Sequence, residues 1–281
     1  MSELTCGWYS LAMNYYLIRI QYLGFRFHGW QRQPGVKTVE SMVMKTLAFV
    51  LGHGDFKILG AGRTDAMVSA GDAAFELFME ESIDADTLLA DLNLNLPPDI
   101  RALSVDAVGP EFNIIQAPKA KTYIYLFCFG EKPHPFCAPF MANFMENLDI
   151  SLMAEGARRF IGSHDFVRYC TRPGEQTNTC RTIQESRIEP NTRITASFFP
   201  TRTWMFRVRA KGFMRHQVRL MMGQLIALGQ GRISLADLED SLSGKIREPL
   251  DTIAPASGLM LDRIDFSGFI DTPNTQVAPN E

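Results

Sequence analysis

Residues 121–129 are the segment that most limits the folds open to this chain. The aromatic side chains would share one face of a strand and the aliphatic and thiol side chains the other: Tyr123, Tyr125, Phe127 and Phe129 against Ile124, Leu126 and Cys128. Successive side chains of a strand point to opposite faces of the sheet, so this strand is apolar on both faces. Such a strand must be covered on both sides, and we predict that it lies in the middle of a sheet.

The chain before this segment predicts two helices among four strands. Apolar and polar residues alternate at 16–22 and 103–107, residues 73–79 form a further strand-like segment, and a short apolar run lies at 57–59. Thr38 is a typical helix cap, apolar residues follow it at helical spacing, and Gly52 ends that helix. A second, short helix is predicted from Asp86. The order strand, helix, strand, strand, helix, strand is that of a ferredoxin-like unit, which Gly109-Pro110 would end.

The second part predicts a further α+β unit. We expect a helix at 152–161, a mobile polar loop at 171–181 and a hairpin that joins 194–199 to 204–211. A helix is expected to start within 213–219, and residues 254–261 would return as the last strand. The predicted domains are therefore residues 14–110 and 111–268, with tails at 1–13 and 269–281.

The composition is that of a soluble globular protein. Of the 281 residues, 46% are hydrophobic and 21% charged. The chain has no apolar window long enough for a transmembrane helix, and its N-terminus lacks the features of a signal peptide. The five cysteines have no C-x-x-C spacing, and the histidines lack ligand spacing. We therefore expect a cytoplasmic protein that binds neither a membrane nor a metal.

The charges are distributed unevenly along the chain. Residues 158–219 contain thirteen Lys and Arg against four Asp and Glu, although the whole chain has a net charge of −3. Within this block, Arg207, Arg209 and Lys211 alternate with apolar residues along a predicted strand. The pattern favours a surface for a polyanion, with phosphates bound by these three cations. The alternative is a solvated face whose arginines pair with acids from elsewhere in the fold.

Residues 60–65, Gly-Ala-Gly-Arg-Thr-Asp, are the candidate catalytic loop. Three small residues allow a sharp turn and a close approach, and Arg63, Thr64 and Asp65 then present a cation, a hydroxyl and a carboxylate. Loops held by a rigid frame often carry function. The alternative is a tight turn with a solvated ion pair. The loop matches neither the dinucleotide-binding fingerprint nor the phosphate-binding P-loop.

Two other segments contain candidate binding residues. The loop 24–33 is rich in aromatic and planar polar residues, among them Trp30 and Gln31, which suit base stacking and RNA contacts or, equally, packing on the protein's own core. Arg215 and Arg219 lie one helical turn apart beside an apolar stripe, where an arginine needs an anion partner or must extend to water.

Seven segments, in the same order along the chain, resemble the TruA family of tRNA pseudouridine synthases. The resemblance covers residues 16–266, and its motif-bearing segments are 29–33 (GWQRQ), 61–70 (AGRTDAMVSA), 93–100 (NLNLPPDI), 121–125 (KTYIY), 162–166 (GSHDF), 213–219 (FMRHQVR) and 254–259 (APASGL). Seven collinear matches are far more specific than any single one.

The resemblance implies an enzyme that converts uridine to pseudouridine in tRNA, in the anticodon arm, as a homodimer with no cofactor or metal. It implies two ferredoxin-like α/β halves whose antiparallel sheets join around a central basic cleft. Asp65 would be the catalytic carboxylate, Arg219 its counter-charge, and Tyr123 an aromatic platform or proton acceptor. The sequence leaves open whether Asp65 attacks C1′ or the uracil ring.

The resemblance also implies RNA contacts outside the catalytic residues. Arg63 would fill the space left by the flipped nucleotide. The remaining candidates for contact with RNA are Thr64, Trp30, Gln31, Arg207, Arg209, Lys211 and Arg215.

The chain departs from the family pattern at several positions outside the catalytic set. Met67 and Ser69 stand where the motif has Gly and His, and Leu23 and Ile115 replace an acid and an arginine. We expect Met67 and Ser69, where they line the cleft, to affect RNA recognition rather than bond breaking. The main alternative is a catalytically inactive or retargeted RNA-binding paralogue, and a hydrolase that uses Asp65 is a more distant one.

Overall fold

The computed structural model describes residues 13–174 and 176–266, so the predicted tails lie outside this part of the chain except for Met13. The strands are β1 Asn14–Tyr22, β2 Phe56–Gly60, β3 Ser69–Met79, β4 Ile100–Val108, β5 Pro118–Phe129, β6 Ala142–Phe144, β7 Gly162–Asp165, β8 Cys180–Pro190, β9 Trp204–Ala210 and β10 Leu259–Phe266. The α-helices are α1 Val39–Leu51, α2 Ala85–Asn95, α3 Ile150–Arg159, α4 Gln217–Gly229 and α5 Leu235–Ser241.

The first half has the predicted ferredoxin-like arrangement. Its strands lie in the order β4-β1-β3-β2, and each neighbouring pair is antiparallel. The Thr38 side chain caps α1, and Gly52 ends it in the left-handed conformation with φ 76°, as the sequence indicates. α2 begins at Ala85 rather than Asp86, because Asp84 is the residue that caps it.

The second half repeats this order, and β10 joins the two halves into one sheet. Its strands lie in the order β10-β5-β9-β8, again with antiparallel neighbours, and β7 extends the edge. β10 also pairs with the start of β3 in parallel, through Met260 with Ser69 and Leu261 with Ala70. β5 therefore lies inside a ten-stranded, mostly antiparallel sheet, which confirms its predicted central place and the α+β fold class.

Two large hydrophobic cores lie along this sheet. The N-terminal core contains β1, β3, α1 and α2, and the C-terminal core contains β5, β9, α3 and α4. Tyr123 packs against both. β10 contributes Leu261 and Ile264 to the N-terminal core, although it follows the second half in sequence. The domain boundary at 110/111 stays a prediction.

The predicted hairpin of residues 194–199 with 204–211 is wrong. β9 is a strand, but its neighbours are β5 and β8, and residues 194–199 contain no strand. The sequence did not predict β8. Only two of its side chains are buried, those of Ile183 and Ser186, so the strand lacks the apolar alternation by which strands are recognised.

No helix in the described ranges is both long and apolar enough to cross a membrane. The four cysteines in those ranges, Cys128, Cys137, Cys170 and Cys180, are free thiols.

Candidate active site

A cavity of about 1010 Å³ lies where the two halves meet. Its walls are the segment 62–68, Lys121 and Tyr123 of β5, the segment 213–219 at the start of α4, and residues between 255 and 259 just before β10. His28, Gln31 and Gln33 close one side. The cavity therefore brings Asp65, Tyr123 and Arg219 together from three segments that are distant in sequence.

The candidate catalytic loop, residues 60–65, is held on several sides. The backbone N–H of Trp30 donates to the carbonyl of Thr64 at 3.1 Å, and the Thr64 hydroxyl is 2.8 Å from the Tyr22 hydroxyl. Gly29 has φ 84°, and a Cβ atom there would lie 2.6 Å from the Thr64 carbonyl oxygen, so this approach requires glycine. Lys121 Nζ donates to the Ala61 carbonyl at 2.7 Å and so ties the loop to β5.

Two side chains of the 213–219 segment face the Asp65 carboxylate. Arg219 Nη1 lies 3.5 Å from Oδ2, and His216 Nε2 lies 3.5 Å from Oδ1. Arg219 is itself held by a bond from its Nε to the Ala254 carbonyl at 2.8 Å. The Asp65 side chain is 28% exposed, so one carboxylate open to the cavity has a guanidinium beside one oxygen and an imidazole beside the other.

Tyr123 forms the wall beside this carboxylate. Its ring meets Phe213 edge to face, with centroids 5.2 Å apart. Burial, and then the charges of Tyr22 and Asp65, raise the pKa of the Tyr123 hydroxyl far above its ordinary value. The hydroxyl therefore stays protonated at neutral pH. This state favours a platform or hydrogen-bond donor over a proton acceptor.

Half of the eight predicted RNA-binding residues line the cavity, and Trp30 is one of the four that do not. Arg63 and Arg215 line the cavity and are exposed, and Thr64 and Gln31 line it too. The Trp30 side chain is only 2% exposed and packs between Tyr22 and Phe75 in the N-terminal core. The prediction that it stacks on a base is corrected accordingly, because its indole is occupied by core packing.

Arg207 and Arg209 point away from the cavity. Val208, between them, lies in the C-terminal core opposite Tyr123, so the two arginines lie on the other face of the sheet. They form an ion-pair face with acids of β8 and β10. The contacts are Arg207 with Glu185 at 3.1 Å and Asp262 at 2.9 Å, Arg209 with Asp265 at 2.7 Å, and Arg193 with Asp262 at 3.1 Å. This pairing matches the alternative interpretation of the basic block. Lys211 is exposed.

The two departures within the catalytic motif have different surroundings. Met67 lines the cavity and has φ 67°, a left-handed conformation that explains a glycine in the family pattern. Ser69 is buried, and its hydroxyl accepts a hydrogen bond from the backbone N–H of Gly24 at 2.9 Å. Ser69 therefore supports the loop, and of the two only Met67 can contact RNA from this cavity.

His216 and Lys121 are site residues to which the sequence interpretation gave no role. Both stand inside quoted motif segments, which is the signal that could have identified them. His216 lies close to Asp65 and Lys121 close to Ala61 only because the two halves are in contact, and local sequence patterns do not encode such contacts. In residues 13–174 and 176–266, no three His, Cys, Asp or Glu side chains lie close enough together to hold a metal ion.

Comparison with known proteins agrees with these features. The family model described as tRNA pseudouridine synthase matches residues 157–267. The chain is 31% identical over 255 residues to tRNA pseudouridine synthase A of Thermodesulfovibrio yellowstonii, with 88% of this chain and 97% of the relative covered. It is 31% identical over 252 residues to the protein of the same name from Aquifex aeolicus, with 90% and 99% covered.

Proposed function

The chain belongs to the tRNA pseudouridine synthase A (TruA) family, and we propose that the cavity around Asp65 is where it isomerises uridine to pseudouridine in tRNA. What supports this location is the convergence of Asp65, Tyr123 and Arg219 on one cavity from both halves of the fold. The cavity is open to solvent and has exposed arginines at its wall, as a site for a nucleotide of a large RNA requires.

The reaction moves the bond to the sugar from N1 of uracil to C5. The bond from N1 to C1′ breaks, the ring turns, C5 bonds to C1′, and the hydrogen on C5 is lost while N1 gains one. A carboxylate beside the nucleotide can act as a nucleophile or stabilise positive charge, and we assign this role to Asp65. Arg219 balances the negative charge of that carboxylate and orients it through the contact of 3.5 Å.

The wall residues suit the nucleotide and its phosphates. Tyr123 provides an aromatic surface and a protonated hydroxyl beside the turning base. Arg63 and Arg215 are exposed at the cavity and would contact phosphates or fill the space left by the flipped nucleotide. Thr64 and Gln31 offer polar contacts at the same wall, and Lys211 adds an exposed charge two residues before Phe213.

The direct test measures pseudouridine in tRNA transcripts incubated with the protein. The wild type should modify uridine, and Asp65→Ala and Asp65→Asn should abolish the reaction while they preserve the fold. Asp55→Asn, which changes an exposed acid before β2, is the matched control and should keep full activity. Binding of a complete tRNA set by the wild type without modification would overturn the enzymatic proposal in favour of a binding protein.

We propose uridines of the anticodon arm as the targets, as the family resemblance implies. The same transcripts test this proposal when the modified positions are mapped by sequencing. Modification confined to another arm would contradict it while leaving the reaction itself intact.

We also propose a cytoplasmic homodimer. What supports a dimer is an exposed aromatic patch on the side of β5 away from the large cores, formed by His134, Phe136, Phe140, Phe198 and Phe199. Phe136 is 65% exposed, and exposed apolar clusters commonly mark protein interfaces. Light scattering should give twice the chain mass, and Phe136→Ser should shift it toward the monomer. A monomeric wild type would contradict this.

We propose the cytoplasm as the location of the protein because tRNA, its substrate, is found there.

A further inference from the structure

His216 has an unusual backbone conformation just before α4. Its φ is 61°, in the left-handed region that few non-glycine residues adopt, although Asn, Asp and His do so more often than the others. Such a conformation is unfavourable for histidine and persists only where the surroundings determine it. It places the partly buried imidazole with Nε2 3.5 Å from Asp65 Oδ1.

Thr171 holds the other nitrogen of the same ring. Its Oγ1 lies 2.8 Å from His216 Nδ1. A hydroxyl can donate to an unprotonated Nδ1, and the ring then carries its proton on Nε2, the nitrogen that faces the carboxylate. The backbone N–H of Thr171 donates to the Arg215 carbonyl at 3.4 Å, so Thr171 and His216 are also connected through the main chain.

Burial of the ring favours its neutral form. Burial is the largest cause and lowers the pKa of His216, Asp65 raises it, and Arg219 and Arg215 lower it, with a net decrease. At neutral pH Asp65 therefore faces one full cation, Arg219, and one neutral N–H donor. Protonation of the ring at lower pH would add a second positive charge beside the carboxylate and make it a weaker nucleophile.

We propose that His216 is a positioning residue for Asp65, which it orients through Nε2–H while Thr171 fixes the ring. Arg219 would hold one carboxylate oxygen and His216 the other, so that Asp65 points at the nucleotide in one orientation. The distance of 3.5 Å is longer than a hydrogen bond, and such contacts commonly tighten when substrate binds. This inference rests on the proposed function of Asp65.

The first test is His216→Asn, because asparagine tolerates the left-handed backbone and does not titrate, while its shorter side chain places no N–H where Nε2 faces Asp65. We expect kcat to fall about 10- to 100-fold, the range for a misplaced reacting group, with KM for tRNA unchanged. The wild-type kcat should also fall as the pH drops below the His216 pKa, and this acid limb should be absent from the variant. His53→Asn, at a site outside the cavity lining, is the control and should behave as wild type.

The second test separates the hydroxyl of Thr171 from its shape. Thr171→Val removes the hydroxyl at nearly the same volume, and Thr171→Ser keeps it. Thr171→Val should reproduce most of the loss in kcat, and Thr171→Ser should retain wild-type activity. Equal activity of the two variants, or a His216→Asn variant with wild-type kcat and pH profile, would overturn the proposal.

A spectroscopic measurement tests the contact between His216 and Asp65 without requiring turnover. In ¹⁵N NMR of the imidazole, the wild type should carry its proton on Nε2, and Thr171→Val should lose this preference. Asp65→Asn should lower the His216 pKa further, since the carboxylate raises it in the wild type. A proton on Nδ1, or an unchanged His216 pKa in Asp65→Asn, would refute the positioning role. This result does not depend on turnover. A wild type that is inactive on tRNA would instead refute the proposed function.

Discussion

The Asp65 cavity and the ion-pair face use arginines from the same basic stretch of sequence in opposite ways. At the cavity, Arg215 of this stretch is exposed, as is Arg63 of the loop 60–65, and Asp65 is the acid beside Arg219. On the ion-pair face, Arg207 and Arg209 reach over β5 to Asp262 and Asp265 of β10, which lies outside the stretch.

The difference shows that local charge does not identify a binding surface. A cation is available to phosphate when it forms no ion pair within the protein. The order of the strands decides which cations lie beside an acidic side chain. Asp262 and Asp265 also account for part of the acidic excess outside the basic stretch. The largest consequences are expected at the cavity.

Replacement of Arg219 should have the largest effect. Arg219→Met removes the guanidinium 3.5 Å from Asp65 and should reduce kcat about 10²- to 10³-fold, the usual range for loss of one electrostatic partner in an active site. Pseudouridine formation in single-turnover assays measures it. Arg209→Met, an arginine of the ion-pair face, is the comparison and should retain kcat. Similar losses of kcat in both variants would contradict the assignment of a catalytic contact to the cavity and of a purely structural role to the ion-pair face.

A smaller effect is expected from the exposed arginines of the cavity. The double variant Arg63→Gln with Arg215→Gln should weaken tRNA binding for all sequences and reduce the salt slope of log K by about 2, roughly 0.9 for each lost phosphate contact. Filter binding over a range of KCl concentrations measures the slope. An unchanged slope would show that these arginines do not hold phosphates.

The smallest effect on activity is expected on the ion-pair face. Arg207→Gln with Arg209→Gln should leave the salt slope and kcat unchanged and lower the free energy of unfolding by about 3 kcal/mol, because loss of one partner of a largely buried pair leaves a poorly solvated carboxylate at Asp262. Urea unfolding measures the stability. A flatter salt slope at unchanged stability would support the sequence prediction that these arginines bind phosphates.

Much of the fold followed from local pattern. The alternation in β5 identified a central strand because both of its faces are covered, and Thr38 and Gly52 marked the ends of α1 because capping is a local contact. β8 was missed because a strand with few buried side chains has no such alternation, and the partner of β9 was wrong because pairing depends on the whole sheet.

The candidate site divides in the same way. The sequence by itself determined the family, the order of the elements in the first half, and Asp65, Tyr123 and Arg219 as the residues to examine, since motifs record which chemical groups are present. Only the tertiary structure decided that Trp30 packs in the core, that Arg207 and Arg209 are paired, and that His216 faces Asp65. These outcomes depend on contacts between residues far apart in the chain, and burial and charge pairing arise only when the sheet has assembled.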